Sequence, residues 1–346
     1  MIFKKAFFLS ITSILLLSLQ VGAQTTVAKY AGEFLAIGVG GRALGMGGAY
    51  VAAANDVTAG YYNPAGLVNI NYPEVALMHE ERFGSLVNYD YAAFAIPYGT
   101  DMSLGLSIIR LAVDGIPDTR NALVDANGDG TLNILDDRLD YSKITEFSNQ
   151  NWAIYLSFAK KLSDEFTYGA SVKIIRETLA EYGATGIGFD VGAQYKPMDN
   201  LVLGANVQDV TTTLVAWSTG RNELISPTIK IGGAYKFEFL GGTFMPVVDI
   251  DVRFEDRQYA ANFYIGPISY DRHVGMEYNF KNVFMIRTGY NDVNQFTIGA
   301  GVKLPKLNID YSFARFNDSS DNRLPDTHRI SLILTLEEPK FLRDGL

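Results

Sequence analysis

Apolar side chains alternate with polar or small ones along much of this chain. A period of two is typical of a β-strand with one apolar face, because successive side chains of a strand point to opposite sides. In 151–159 the apolar face carries Trp152, Ile154, Leu156 and Phe158. In 244–254 the charged face carries Asp249, Asp251 and Arg253. An apolar face backed by a small or charged one predicts strands that separate lipid from a lumen.

The pattern predicts about fourteen strands, near 75–82, 89–98, 101–111, 150–160, 165–178, 184–196, 201–209, 227–238, 244–254, 271–280, 283–290, 295–304, 307–315 and 327–336. The long connections all follow odd-numbered strands: 112–149, 210–226, 255–270 and 316–326. Outer-membrane barrels of bacteria have an even number of strands, short periplasmic turns and long external loops. The prediction is an all-β fold, a fourteen-stranded antiparallel transmembrane β-barrel over 71–346. An exported soluble β-sandwich is the alternative.

The first residues predict export. Lys4 and Lys5 precede an apolar run over 6–19, and small residues end at Ala23. This order is typical of a signal peptide, here 1–23, cleaved near Ala23. The rest of the chain contains no run of 18 apolar residues, so the sequence predicts no membrane-spanning helix. Together with the strand pattern, export predicts the bacterial outer membrane as the location.

Charge and cysteine content narrow the function. The 346 residues include 29 Lys and Arg against 38 Asp and Glu, a net charge of −9. This sign is wrong for a phosphate-binding surface, so nucleic acid is not an expected partner. The chain has no cysteine, which excludes disulfides, thiolate metal sites and a cysteine nucleophile.

Residues 30–70 do not alternate and are rich in glycine and alanine. Arg42 is followed by Ala-Leu-Gly-Met-Gly-Gly-Ala, then by Asn55-Asp56 and by Tyr-Asn-Pro-Ala-Gly-Leu at 62–67. This combination resembles the PorV/PorQ family of outer-membrane proteins, which are relatives of the FadL transporters. The resemblance implies an N-terminal hatch, here 24–70, inside the barrel. The candidate hatch and ligand residues are Arg42, Gly45, Gly47, Gly48, Asn63, Pro64, Ala65 and Gly66.

Nothing in the sequence predicts an enzyme, so no catalytic residue is assigned. The stretch Gly38-Val39-Gly40-Gly41-Arg42-Ala43 fits a loose dinucleotide-binding pattern, but it lacks the βαβ context which that motif needs. The three histidines lie in separate predicted strands, without the spacing of a metal-ligand pair.

The long connection 112–149 contains a calcium-loop pattern. Oxygen-bearing side chains recur at loop positions one, three, five, nine and twelve, and Gly130 at position six permits the sharp turn. The predicted Ca²⁺ ligands are Asp125, Asn127, Asp129, Thr131 through its carbonyl, Asn133 through water, and Asp136. Aspartate at position twelve departs from the EF-hand glutamate. Together with Asn133 at position nine, it makes the segment similar to the dockerin loop. The expected role is structural, in an extracellular loop, and a solvated acidic turn is the alternative.

Two functions remain open at this point. The resemblance to PorV implies a partner of the type IX secretion machinery, which receives the sorting domains of secreted proteins from a translocon and escorts them at the cell surface. The relation to FadL implies a transporter of hydrophobic small molecules, with the ligand near Asn63 to Gly66. A structural, porin-like barrel is a third possibility. Outer-membrane lipid is an expected partner in each case.

Overall fold

A computed structural model describes residues 32–135, 137–316 and 325–345. The predicted signal peptide, the start of the predicted hatch at 24–31 and the predicted calcium ligand Asp136 lie outside the described residues. We call 32–73 the N-terminal segment, because the first strand begins at Glu74.

Strands dominate the described residues. They are β1 (Glu74–Arg82), β2 (Val87–Tyr98), β3 (Met102–Asp118), β4 (Leu123–Val124), β5 (Arg138–Leu139), β6 (Thr145–Lys161), β7 (Phe166–Leu179), β8 (Tyr182–Met198), β9 (Leu201–Gln208), β10 (Thr213–Trp217), β11 (Asn222–Ile225), β12 (Thr228–Tyr235), β13 (Phe237–Phe239), β14 (Gly242–Arg253), β15 (Phe263–Ile265), β16 (Ile268–Phe280), β17 (Phe284–Tyr290), β18 (Gln295–Leu304), β19 (Leu307–Phe316) and β20 (Thr327–Thr335).

The wall is a closed antiparallel barrel. Fourteen strands run around it in chain order, namely all except β4, β5, β10, β11, β13 and β15. The first strand closes the ring by pairing with β2 on one side and with β20 on the other. Closure leaves no open edge with unpaired backbone groups. The predicted fold class of a fourteen-stranded antiparallel barrel is confirmed.

The alternating faces have the predicted orientation. On β6, Leu156 is 56% exposed on the outside, whereas Tyr155 and Ser157 on the inward face are 1% and 5% exposed. On β14, Asp249 and Asp251 are buried inside the barrel. The outer wall is therefore apolar and the inner wall carries the polar and small side chains.

Three predicted loops were too long. Strands β3 and β6 continue pairing to Asp118 and Thr145, so only 119–144 connects them. The hairpin of β10 and β11 lies in the predicted loop 210–226, and β15 lies in 255–270. Strand pairing beyond the apolar band needs no apolar alternation, so the hydrophobic pattern does not detect these extensions. Most of the predicted loop 316–326 lies outside the described residues.

Helices are short. The α-helices are α1 (Gly41–Gly45) and α2 (Ala59–Tyr62), and 3₁₀ turns span Glu33–Ala36, Pro64–Asn69, Tyr141–Lys143, Gln258–Ala260 and Pro339–Phe341. No helix in the described part of the chain is long and apolar enough to cross a membrane. Four of these elements, including both α-helices, lie in the N-terminal segment, whose packing is described next.

Candidate functional site

The N-terminal segment lies inside the barrel. Val39, Tyr50, Ala59 and Leu67 have no measurable exposure, and they belong to one buried cluster with inward-facing wall residues such as Tyr155. A stretch of chain that is buried on all sides must be held by contacts with the wall.

Glycines on both partners allow a close backbone approach. The backbone of Met46 and Gly47 lies against Gly275 and Gly289, and a Cβ atom added at Gly289 would lie 2.3 Å from the carbonyl carbon of Met46. Gly47 has φ +67° and lies against the backbone of Tyr290. A side chain at Gly47 would be excluded both by space and by backbone conformation.

A second contact forms around Asn63, which is fully buried. Its amide nitrogen donates to the carbonyls of Val51 and Ala193, both at 3.0 Å. Its side-chain oxygen accepts from the N–H of Ala65 at 3.2 Å, where the 3₁₀ turn Pro64–Asn69 begins. Asn63 thus joins two parts of the N-terminal segment to strand β8.

Wall glycines also make room for this turn. A Cβ atom at Gly192 would lie 2.1 Å from the side-chain oxygen of Asn63, and one at Gly169 would lie 2.6 Å from the nitrogen of Ala65. Within the segment, a Cβ atom at Gly66 would lie 2.2 Å from the carbonyl oxygen of Ala54. These glycines therefore have a packing function, both on the inner wall and within the segment.

Arg42 on α1 makes the main ionic contact with the wall. Its guanidinium donates to both carboxylate oxygens of Glu277 on β16, each at 3.0 Å. It also donates to the hydroxyl of Tyr50 at 2.9 Å and to the side chain of Asn55 at 2.7 Å. A planar guanidinium suits such a two-pronged carboxylate contact better than a lysine does.

Glu277 is shared with a cation on the wall. Arg287 on β17 donates to Glu277 at 2.6 Å and to Asp310 at 2.6 Å. Positive and negative groups alternate along the contacts that run from Arg42 through Glu277 and Arg287 to Asp310. Each of these charges therefore lies beside an opposite charge. We call these four residues the Arg42 network.

Asp249 holds the middle of the segment. Its carboxylate accepts the backbone N–H groups of Tyr50 at 2.5 Å and of Val51 at 2.8 Å. These two N–H groups lie in a buried turn and take part in no helix or strand hydrogen bond. The Asp249 carboxylate therefore satisfies donors that would otherwise be costly to bury.

The segment separates two cavities of the lumen. We call the end of the barrel with the connection 119–144 the long-loop end and the opposite end the short-turn end. A cavity of about 400 Å³ at the short-turn end is lined by Arg42, Glu277 and Lys303. A cavity of about 190 Å³ at the long-loop end is lined by Tyr61, Arg253 and Arg329. A solute moving between these cavities would have to pass the N-terminal segment.

The predicted calcium loop is a separate structure at the long-loop end. Asp125 accepts the N–H groups of Gly128 at 2.6 Å and Gly130 at 2.8 Å, and both glycines have positive φ. Asp129 accepts the N–H group of Thr131 at 2.8 Å. These short-range bonds wind 125–131 into a tight exposed turn.

Asp137 closes the same loop. Its carboxylate accepts the N–H of Ala126 at 2.9 Å and the N–H of Asn133 at 2.8 Å. Within the described ranges, no group of three or more His, Cys, Asp or Glu side chains is close enough to hold a metal. The donor set of Asp125, Asn127 and Asp129 is made of oxygen atoms and so fits Ca²⁺ in its chemistry.

Comparisons with known proteins identify the fold. Neither a protein-family model nor a curated protein sequence matches the chain. The toluene transporter TbuX of Ralstonia pickettii is similar in structure, with a TM-score of 0.58 and 14% identity over 86% of this chain and 98% of that chain. A FadL homologue of Pseudomonas aeruginosa has a TM-score of 0.56 and 12% identity over 86% and 98%. The chain has the fold of the FadL-like outer-membrane barrels.

A third FadL-like barrel is similar as well. The toluene transporter TodX of Pseudomonas putida has a TM-score of 0.54 and 13% identity over 86% of this chain and 96% of that chain. None of these similarities distinguishes the PorV/PorQ family, which the sequence motif resembles. At this level of identity the comparisons establish the fold alone.

The sequence predicted the residues of the N-terminal segment at this site but not their partners on the wall. The structure gathers Arg42, Gly45, Gly47, Gly48, Asn63, Pro64, Ala65 and Gly66 inside the barrel. It also reveals wall partners that were not singled out as a site, namely Glu277, Arg287, Asp310, Gly275 and Gly289.

Arg343 was missed too. It donates to the carbonyls of Val68 and Ile70 and thereby ties the C-terminal residues to the N-terminal segment. No local sequence pattern marks that contact. In the predicted calcium loop, Asp137 was missed although it lies next to the predicted ligand at 136.

Proposed function

We propose that this protein is an outer-membrane barrel that transports a hydrophobic small molecule, and that its N-terminal segment is a hatch that must move during uptake. The observation that carries the proposal is the position of the segment between two lumen cavities, in a barrel of the FadL-like fold. The apolar outer wall supports a location in the bacterial outer membrane. On this basis the short-turn end faces the periplasm and the long-loop end faces outside.

The similar structures supply a probe for the proposed ligand class. TbuX and TodX are toluene transporters, so toluene is the first probe to use. This chain's own residues supply the hatch. The carboxylates of Asp249 and Glu277 and the inner-wall glycines hold the segment in place, and displacement of the segment would connect the two cavities.

The test is toluene uptake by cells of a bacterial strain that lacks its own hydrocarbon channels. Cells that produce the full chain should accumulate labelled toluene faster than cells with an empty vector. Equal uptake by both strains, with normal amounts of folded barrel in the outer membrane, would contradict the transport proposal.

A role with type IX secretion is the competing proposal, and it rests on the resemblance of 38–67 to PorV alone. Its natural contact surface is the set of external connections. Exchanging 218–221 and 254–267 for short glycine-serine turns should abolish surface display of secreted cargo under that proposal. Under the transport proposal, cargo display should be unchanged by the exchange.

We also propose that the external loop binds one Ca²⁺ ion through Asp125, Asn127, Asp129 and the carbonyl of Thr131, with Asn133 and Asp136 completing the set. The tight turn and its oxygen-bearing side chains support this assignment. When bound, the ion would supply the positive charge that the acidic turn lacks, and the loop would gain order.

A further inference from the structure

Strand β16 carries aromatic side chains at both ends of its outer face. Tyr270 lies toward the long-loop end, Tyr278 and Phe280 lie toward the short-turn end, and the exposed Val274 and Met276 lie between them. Membrane barrels have aromatic girdles at the two levels of the lipid headgroups, with an apolar band between them. The outer face of β16 therefore indicates where both headgroup levels lie on this side of the barrel.

Arg272 is exposed on this outer face, next to Tyr270 in the girdle at the long-loop end. Its guanidinium lies 6.0 Å from the centre of the Tyr290 ring on β17. Its register partner on β14 is Ile250, which is 45% exposed on the outer wall. Arg272 therefore places a positive charge at headgroup level, between aromatic and aliphatic neighbours.

Arg272 forms no ion pair with any residue in the described part of the chain. The carboxylate next to it in sequence, Asp271, points into the barrel and is held by Arg253 and Arg257. By contrast, Arg315, another arginine of the outer face, pairs with Asp326. A guanidinium keeps its charge at any physiological pH and has five N–H donors. Those of Arg272 are therefore free to bind an anion from outside the chain.

The proposed orientation puts Arg272 in the outward-facing leaflet of the outer membrane. The resident lipid of that leaflet is a glycolipid built on lipid A, whose disaccharide head carries phosphate groups. A guanidinium can donate two parallel hydrogen bonds to one phosphate. Arg272 thus has the charge and the height that fit a lipid A phosphate.

We propose that Arg272 binds a phosphate group of lipid A, and that an acyl chain of the same molecule packs on Val274 and Met276. Tyr290 supports the guanidinium from the side of β17. The inference rests on the proposed outer-membrane location and orientation, but not on transport. A failure to take up toluene therefore leaves it intact.

The experiment is native mass spectrometry of the full-length protein in detergent, with added lipid A that carries either two phosphates or none on the same acylated disaccharide. The phosphorylated form should remain bound about tenfold more, because its contact with Arg272 is charge-assisted. Arg272→Gln should abolish this preference. Arg272→Lys keeps the charge and should retain part of the preference. Both changes lie on an exposed side chain, so the barrel should still fold.

Lys281→Gln is the matched control. The ammonium group of Lys281 also lies over an aromatic ring, 5.2 Å from the centre of Phe280, but at the short-turn end of the same strand. This variant should prefer the phosphorylated lipid as the original protein does. Loss of the preference in Lys281→Gln but not in Arg272→Gln would overturn the proposal and would indicate the reverse orientation of the barrel.

Two other results would also overturn the proposal. The first is equal binding of the two forms of lipid A by the original protein, since Arg272 would then not contact a phosphate. The second is displacement of the bound lipid by excess inorganic phosphate, because this result would assign Arg272 to a site for free phosphate. Retention of the lipid under that excess is the expected result, since acyl contacts also hold it.

Discussion

Two regions of the chain have irregular structure and lie outside the barrel wall, and they are stabilised in opposite ways. The N-terminal segment is buried and is held by distant partners, such as Glu277 and Asp249 on the wall. The loop 125–137 is exposed and is held by hydrogen bonds within itself. A segment of the first kind depends on the wall around it, whereas a loop of the second kind depends on its own sequence and, under the calcium proposal, on a bound ion.

The largest effect should come from breaking the Arg42 network. Arg42→Met leaves Glu277 with one partner fewer, and removing one member of a buried ion pair costs about 3 kcal/mol, the low end for such pairs since Arg42 keeps 20% side-chain exposure. The free energy of unfolding from lipid vesicles in urea measures this loss. The double variant Arg42→Met with Glu277→Met should lose less than the sum of the two single losses, because the two residues are coupled.

Arg315→Met is the control for the Arg42 prediction. Arg315 pairs with Asp326 at the surface, with 50% side-chain exposure, and an exposed pair contributes about 0–1 kcal/mol. If both arginine variants lose the same small amount, the segment is not held by the Arg42 network.

A smaller loss of stability should follow from crowding the segment. Gly289→Leu places a side chain where Met46 lies, and overpacking of this kind costs about 1–3 kcal/mol. The backbone around Met46 should shift away from the wall and become sensitive to added protease. Ala300→Leu adds the same side chain to the exposed outer face and should leave the segment protected. Protection in both variants would mean that the wall glycines do not determine the position of the segment.

The external loop should affect barrel stability least. Asp125→Asn with Asp129→Asn removes two negative ligands, so calcium affinity should collapse while the unfolding of the barrel in urea stays unchanged. Calcium-dependent protection of 119–144 from protease, in intact cells, measures loop order. If protease protection changes neither with a chelator nor with the substitutions, only the acidic-turn interpretation remains.

The loop should also respond to acid. The hydrogen bonds from the hydroxyl and N–H of Thr131, and then from Asn127, hold the pKa of Asp129 below its ordinary value. A carboxylate whose pKa is lowered by folding stabilises the turn above the usual aspartate pKa of about 3.9. This stabilisation is lost as the pH falls through the lowered pKa. Protease protection in calcium should therefore disappear on acidification below about pH 4, and Thr131→Val should move that loss to higher pH.

The same contrast explains what the sequence could predict. Strand positions and the turn at 125–131 depend on neighbours in the sequence, so alternation and spacing were enough to find them. Arg42 and Glu277 are 235 positions apart, and single-sequence patterns do not pair such residues. The motif around Arg42 could be found in the sequence because it resembles a known family. The wall residues that contact Arg42 could be found only from the folded structure. The hairpin of β10 and β11 was missed because its strands are short and lie beyond the apolar band.

Transport as proposed requires that the N-terminal segment blocks the lumen and moves during uptake. The chain has no cysteine, so a single engineered disulfide can lock the segment reversibly. Gly41 on α1 and Ser331 on β20 suit this purpose, because a Cβ atom at Gly41 would lie 3.1 Å from the hydroxyl oxygen of Ser331. Ile286→Cys with Ala300→Cys is the control, since these two residues are register partners on the exposed outer face of β17 and β18, away from the segment.

Toluene uptake by cells that carry the Gly41→Cys and Ser331→Cys pair, before and after reduction, is the decisive measurement. We expect that the oxidised pair lowers uptake to the level of cells without the protein, that a reducing agent restores it, and that the control pair responds to neither treatment. Undiminished uptake by the oxidised, fully cross-linked pair would contradict the claim, because the ligand would then cross the membrane without displacing the segment.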